Sequence, residues 1–273
     1  MRIGMHRPAL FAKLKGVSEE TTTGTARLYA MQKTGVLPFP ALTANDARCK
    51  HLFDNRYGTG QTTMQAVLRL TNRQIAGANV AIIGYGYVGR GIAEYAKKMG
   101  ARVIVAEIDP IKAIQAHNSG HVVSSISDAV LEAEVVFTTT SVAATLTGAH
   151  IDAMRSGVMV CSAGCGQAEL PMQHLEQAIH KESVREHVME YQLSSGKKVL
   201  LIADGHCINQ AAGEGNPIEV TDSLMALQLT ALDFLSSRRE RLTGGLCSLP
   251  GSYEHDIATT YLKELGLVSE SPN

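Results

Sequence analysis

This chain of 273 residues has no excess of either charge, no long apolar run and no CxxC pair. With a formal net charge of −1 and the signs interspersed, it offers no electrostatic footprint for nucleic acid or an anionic membrane surface. The longest apolar runs are only strand-length, so no bilayer-spanning segment is expected. No charged start leads into an apolar h-region, and no signal peptide is expected. The five cysteines (Cys49, Cys161, Cys165, Cys207 and Cys247) are odd in number and scattered, which suits free thiols in a reducing cytoplasm. The histidines are scattered too, and without zinc spacing no metal centre is expected. No internal repeat or low-complexity tract is evident.

What the chain does have is the stretch Asn79 to Pro110. A short apolar run, Val80 to Ile83, breaks at Gly84-Tyr85-Gly86 and passes through Tyr87-Val88-Gly89 into a segment of helical periodicity. A second apolar run, Val103 to Ala106, ends on Glu107. In a GxGxxG turn, Gly84 takes the tight bend, Gly86 lets the backbone approach a pyrophosphate, and Gly89 lets the helix pack closely on the strand. The helix N-terminus then presents N–H groups to phosphate. An acid closing the second strand binds ribose hydroxyls and repels a 2′-phosphate, so Glu107 predicts NAD over NADP.

Strands and helices alternate beyond Glu107. Helices are expected over Ile111 to His117, Ser127 to Glu132, Pro171 to His180, Glu219 to Leu235 and Ser252 to Leu265. Strands are expected over His121 to Ser124, Glu134 to Phe137 and Val158 to Cys161. Two more, Glu186 to Leu193 and Lys198 to Ala203, are joined by the turn Ser194-Ser195-Gly196. Asp204 to Pro217 reads as a loop. This alternation specifies an α/β fold with a doubly wound parallel (Rossmann) sheet. Lys50 and Asp54, four residues apart, would share a helix face as an i,i+4 pair.

Several segments resemble the adenosylhomocysteinase family. They are Ser18-Glu19-Glu20-Thr21-Thr22-Thr23-Gly24, Phe53-Asp54-Asn55-Arg56-Tyr57-Gly58, Gly84-Tyr85-Gly86 with Val88-Gly89, and Glu107-Ile108-Asp109-Pro110-Ile111. The resemblance runs from about His6 to about Leu235. Enzymes of that family keep NAD bound, oxidise a nucleoside 3′-hydroxyl to a ketone, eliminate the 5′ group, add water and reduce the ketone again. The resemblance implies that Glu20 holds the ribose hydroxyls and that Lys50 is the general base for the 3′-hydroxyl, with Asp54 beside it. Thr21, Thr22, Thr23 and Asn55 would line the nicotinamide side. Gly84, Tyr85, Gly86, Tyr87, Val88, Gly89, Glu107, Ile108 and Lys112 would line the adenosine side, with Thr139, Thr140 and Asn209 as further cofactor contacts.

Departures from the family pattern are specific. Set against that pattern, the family's large substrate domain ahead of Ser18 and its basic C-terminal tail are both expected to be missing. Cys165 and Asn216 stand where the family has histidines, as a candidate catalytic group and a candidate substrate contact; both are weaker acid/base groups than imidazole. Thr59 replaces a cysteine, and Tyr87 and Lys112 replace an acid and an amide.

The expected organisation is a helical and loop remnant of a substrate domain (1–58), an NAD-binding domain (59–216), and C-terminal helices (217–273) packing on the remnant and on neighbouring subunits. The expected function is NAD-dependent chemistry of the hydrolase or lyase type on an adenosine-type nucleoside, part of one-carbon metabolism. The expected protein is cytoplasmic and homo-oligomeric, a dimer or tetramer, without nucleic-acid or membrane partners. The alternative is a non-catalytic NAD-binding partner or regulator that complements a separate substrate domain or a full-length relative.

Overall fold

The computed structural model describes residues 6–237 and 244–267; the chain end at Asn273 lies outside them. The chain divides into two compact units, one drawn from Met1–Asp54 and Ile218–Asn273, the other from Asn55–Pro217. Among the described residues the strands in chain order are β1 (Val17–Glu19), β2 (Pro40–Thr43), β3 (Asn79–Ile83), β4 (Arg102–Ala106), β5 (Val122–Val123), β6 (Val135–Thr138), β7 (Val158–Ser162), β8 (His180–Arg185), β9 (Val188–Gln192), β10 (Lys198–Ile202) and β11 (Gly245–Cys247).

The Asn55–Pro217 unit is built on an eight-stranded sheet of order β5-β4-β3-β6-β7-β10-β9-β8. Its strands are parallel from β5 to β10. Strands β3, β6 and β7 read as continuous apolar runs because both sheet faces are covered, as parallel sheets require. The two-residue strand period sends alternate side chains to opposite cores. Val80, Ile82, Val103, Val105 and Phe137 pack with Met64, Val67, Ile92 and Ala96 of the helices Gly60–Thr71 and Tyr87–Lys98. Ala81, Ile83, Ile104, Val136 and Val160 pack on the other face with Val130, Ile151 and Leu175. The sheet is therefore doubly wound, as expected. Asn72 ends the helix Gly60–Thr71 in the left-handed conformation. At Gly91 a side chain is ruled out by the carbonyl of Arg56.

The expected hairpin of β9 and β10 is present and antiparallel. Three expectations fail. Only Met172–Leu175 of the segment Pro171 to His180 is helical, and His180–Arg185 instead forms β8, an antiparallel edge strand. Every residue of β8 is exposed, so it carries none of the apolar alternation by which a strand is recognised. Asp204 to Pro217 contains a short helix, Ile208–Ala211. The segment expected as a helical and loop remnant holds two strands.

Those strands belong to the other unit, where β1, β2 and β11 form a parallel three-stranded sheet of order β1-β2-β11. Leu42 of β2 is fully buried with Ala231, Phe234 and Leu235 of the helix Ile218–Ser237. Tyr253 of the helix Gly251–Glu264 meets the Phe234 ring edge-on at 5.8 Å. Between Lys50 and Thr59 the chain is a ten-residue π-helix, in which Lys50 and Asp54 still pair as i and i+4. π-Helical turns are rare and concentrate at functional sites.

Candidate functional site

Glu20 follows β1 directly, and Lys50 opens the π-helix. Together with Asp54 they form a buried ionic cluster within one unit. The Lys50 Nζ lies 3.2 Å from Asp54 Oδ2 and 3.6 Å from Glu20 Oε2. Lys50 is 3% exposed and Asp54 7%, so the cation is held by protein groups rather than by water. Burial, first of all, raises the Glu20 carboxyl above its ordinary value; Lys50 opposes this and Asp54 and Glu19 add to it. The backbone N–H of Cys49, just before the π-helix, donates to Glu254 Oε1 at 2.6 Å. Glu19 Oε1 accepts from the Thr21 N–H at 2.9 Å, and its carboxylate fills the space a side chain at Gly24 would need. Thr21 sits at the N-cap position of the helix Thr22–Lys33 without a side-chain cap hydrogen bond, Thr22 donates to Asn45 at 3.3 Å, and Thr23 is half-buried.

In the other unit the GxGxxG turn has a tight bend at its first glycine, open space at its second and close packing at its third. Gly84 has φ +99°, and a Cβ there would lie 3.0 Å from both Thr139 Oγ1 and Thr140 Cγ2. Gly86 has open space around its missing Cβ, and no side chain caps the helix that begins at Tyr87. Gly89 packs on the Gly84 carbonyl and Thr139. A cradle with an uncapped helix N-terminus, kept clear of side chains, fits a dinucleotide pyrophosphate. Glu107 is anchored by the N–H groups of Tyr85 at 2.6 Å and Asp109 at 2.9 Å, one to each oxygen. Its remaining lone pairs suit ribose hydroxyls.

The other named residues are placed as follows. The Tyr85 ring is fully buried, 5.7 Å from His121 and with Arg90 over its face at 5.5 Å, so only its backbone belongs to the turn. Tyr87 is exposed beneath Arg90, and Val88 packs on the core. Ile108 is 96% exposed, and Lys112 pairs with Asp109 at 3.5 Å. Asn55 is half-buried. Asn209 is buried and donates to Asn216 Oδ1 at 3.4 Å, which Thr62 also reaches at 3.4 Å and Thr59 at 3.5 Å. Cys165 is half-buried; burial and the nearby Glu169 push its thiol up.

One residue of this region was not expected from the sequence. Glu169 is fully buried, and five donors converge on its carboxylate. Oε2 accepts from Thr138 Oγ1 at 2.8 Å and Ser162 Oγ at 3.0 Å. Oε1 accepts from Thr140 N and Oγ1, both at 2.8 Å, and from Ser141 N at 2.6 Å. Thr139 Oγ1 donates in turn to the carbonyls of Ile83 and Gly84. In the sequence Glu169 is a lone acid in a short irregular stretch, and neither periodicity nor spacing marks it.

Residues 55–215 match the family model described as S-adenosyl-L-homocysteine hydrolase, NAD binding domain. An adenosylhomocysteinase of Nostoc sp. is 43% identical over 261 residues, covering 95% of this chain and 61% of that protein. One from Thermotoga maritima is 42% identical over 262 residues, covering 96% and 65%. An S-inosyl-L-homocysteine hydrolase of Methanopyrus kandleri is 40% identical over 271 residues, covering 98% and 64%. The chain thus spans less than two thirds of the length of these curated relatives. The A chain of dipicolinate synthase from Bacillus subtilis superposes with a TM-score of 0.55 at 15% identity, over 82% of this chain and 66% of that one, a likeness of fold.

Proposed function

The chain belongs to the S-adenosyl-L-homocysteine hydrolase family, and from that premise we propose that it acts on an adenosine-type nucleoside by reversible oxidation of the 3′-hydroxyl and elimination or addition across C4′–C5′. NAD is the cofactor, and when bound it supplies the hydride acceptor that makes the neighbouring C–H acidic. The observation that carries the reading is the buried Lys50 held between Asp54 and Glu20. An amine between two carboxylates is suited to relay a proton: once the Lys50 ammonium has passed a proton to Asp54, 3.2 Å away, its free amine takes the 3′-hydroxyl proton. Glu20, partly exposed beside it, accepts hydrogen bonds from ribose hydroxyls. Cys165, as a candidate catalytic group, and Asn216, as a candidate substrate contact, stand in for the family's histidines in this reading.

Mixing the NAD-loaded chain with adenosine or inosine tests the reading. Growth of NADH absorbance with either nucleoside is expected, and it should vanish in Lys50→Met while NAD stays bound. A fully loaded wild-type chain that gives no reduction with either nucleoside overturns the proposal.

Self-association belongs to the same reading. Met225, Leu229 and Leu232 are exposed on the helix Ile218–Ser237, an apolar stripe suited to a second copy. Light scattering that finds only monomer at micromolar concentration overturns it. Among the described residues no helix is long and apolar enough to cross a membrane.

A further inference from the structure

Glu169 joins the carboxyl ends of two adjacent strands, and its partners explain how. Thr138 ends β6 and Ser162 ends β7, and both hydroxyls bond to Oε2. Oε1 holds the chain just beyond β6, where Ser141 and Ala144 are non-glycine residues at φ +57°. Such residues persist in the left-handed region only where surrounding contacts over-determine them. Two backbone N–H groups, which can only donate, meet Oε1, so five donors face an acceptor-only carboxylate. A Cβ on Gly164 would lie 2.5 Å from the same oxygen, so the chain after β7 is shaped around the acid as well.

In a doubly wound sheet the dinucleotide lies across the carboxyl ends where strand order reverses. Here that point is between β3 and β6. By that rule the glycine turn after β3 and Glu107 after β4 would hold the adenosine half, and the ends of β6 and β7 would be left for the nicotinamide half. Neutral donors spread a carboxylate's charge without cancelling it. Burial first, and the Glu169 carboxylate next, push the Cys207 thiol up to about 11.

We propose that Glu169 is a positioning residue of the cofactor site, fixing the Thr138–Ser141 turn, and that its buried negative charge favours the cationic nicotinamide of NAD⁺ over neutral NADH. The inference depends on NAD binding and not on any nucleoside reaction, so it stands or falls separately from the proposal above.

The test compares the binding of NAD⁺ and NADH to the full chain by titration calorimetry. Glu169→Gln is nearly isosteric. Its amide oxygen keeps the two backbone donors, and its NH₂ faces hydroxyls of Thr138 and Ser162 that can turn to accept. At an effective dielectric of about 20, a unit charge within roughly 10 Å of the ring is worth about a tenfold change. In Glu169→Gln the NAD⁺ affinity is expected to fall by about that factor relative to NADH. The wild-type chain, which requires no variant to fold, is expected to bind NAD⁺ at least as tightly as NADH. Equal losses for the two forms in Glu169→Gln, or a wild-type chain that strongly prefers NADH, overturn the proposal.

Discussion

Replacing Lys50 by Met leaves Asp54 and Glu20 facing each other without the cation that holds them. Breaking a buried ion pair by removing one partner costs about 3–5 kcal/mol, because the remaining charge stays desolvated. Glu20 is 36% exposed and recovers some hydration, whereas Asp54 is 7% exposed and does not. The expected loss is therefore near the lower end, about 3 kcal/mol. Its pH dependence has a definite sign. Burial already raises the Glu20 carboxyl, and Lys50 is the main group lowering it, so the variant raises it further. A carboxyl raised in the folded state favours folding as it protonates, so the deficit should shrink as pH falls from neutral toward 4.5, the ordinary value of Glu20. Urea unfolding at several pH values, followed by the reactivity of the buried Cys49 thiol in the same unit, measures it. The double variant Lys50→Met with Asp54→Asn should recover much of the loss. A Lys50→Met deficit below about 1 kcal/mol that does not change with pH would refute the view of a tightly coupled buried cluster.

Four further outcomes concern the cofactor unit and its Cys207 thiol. Gly86→Val should leave stability within about 0.5 kcal/mol, since nothing lies within 4 Å of the added Cβ, yet abolish NAD binding; Gly84→Ala should instead cost about 1–3 kcal/mol in thermal unfolding through its φ of +99°. Glu107→Ala removes the acceptor for the Tyr85 and Asp109 N–H groups and should weaken NAD while narrowing its advantage over NADP in equilibrium titration. The Cys207 thiol, moved from 9.0 to about 11 chiefly by burial, contributes stability present below pH 9 and lost as pH rises toward 11. Cys207→Ala should therefore show a shallower alkaline loss of stability in urea unfolding.

How much was legible in the sequence depended on whether a feature is local. The GxGxxG turn is a run of six residues whose backbone demands select glycine. Strands buried on both faces advertise themselves as unbroken apolar runs, and so β3, β4, β6 and β7 and the tight bend at Gly84 could be read directly. Glu20, Lys50 and Asp54 were legible only through resemblance, because an i,i+4 charge pair reads as an ordinary solvated helix face.

Tertiary structure decided the rest. β8 is a wholly exposed edge, and pairing with β9, not hydrophobic pattern, makes it a strand. β1 and β2 are completed by β11 from the far end of the chain, a parallel pairing that no local window contains. The π-helix buries Lys50 against Glu20, a residue distant in sequence. Glu169 collects donors from β6, β7 and the turn beyond β6. Hydrogen-bond satisfaction of a buried carboxylate depends on positions in space, which spacing along the chain does not encode.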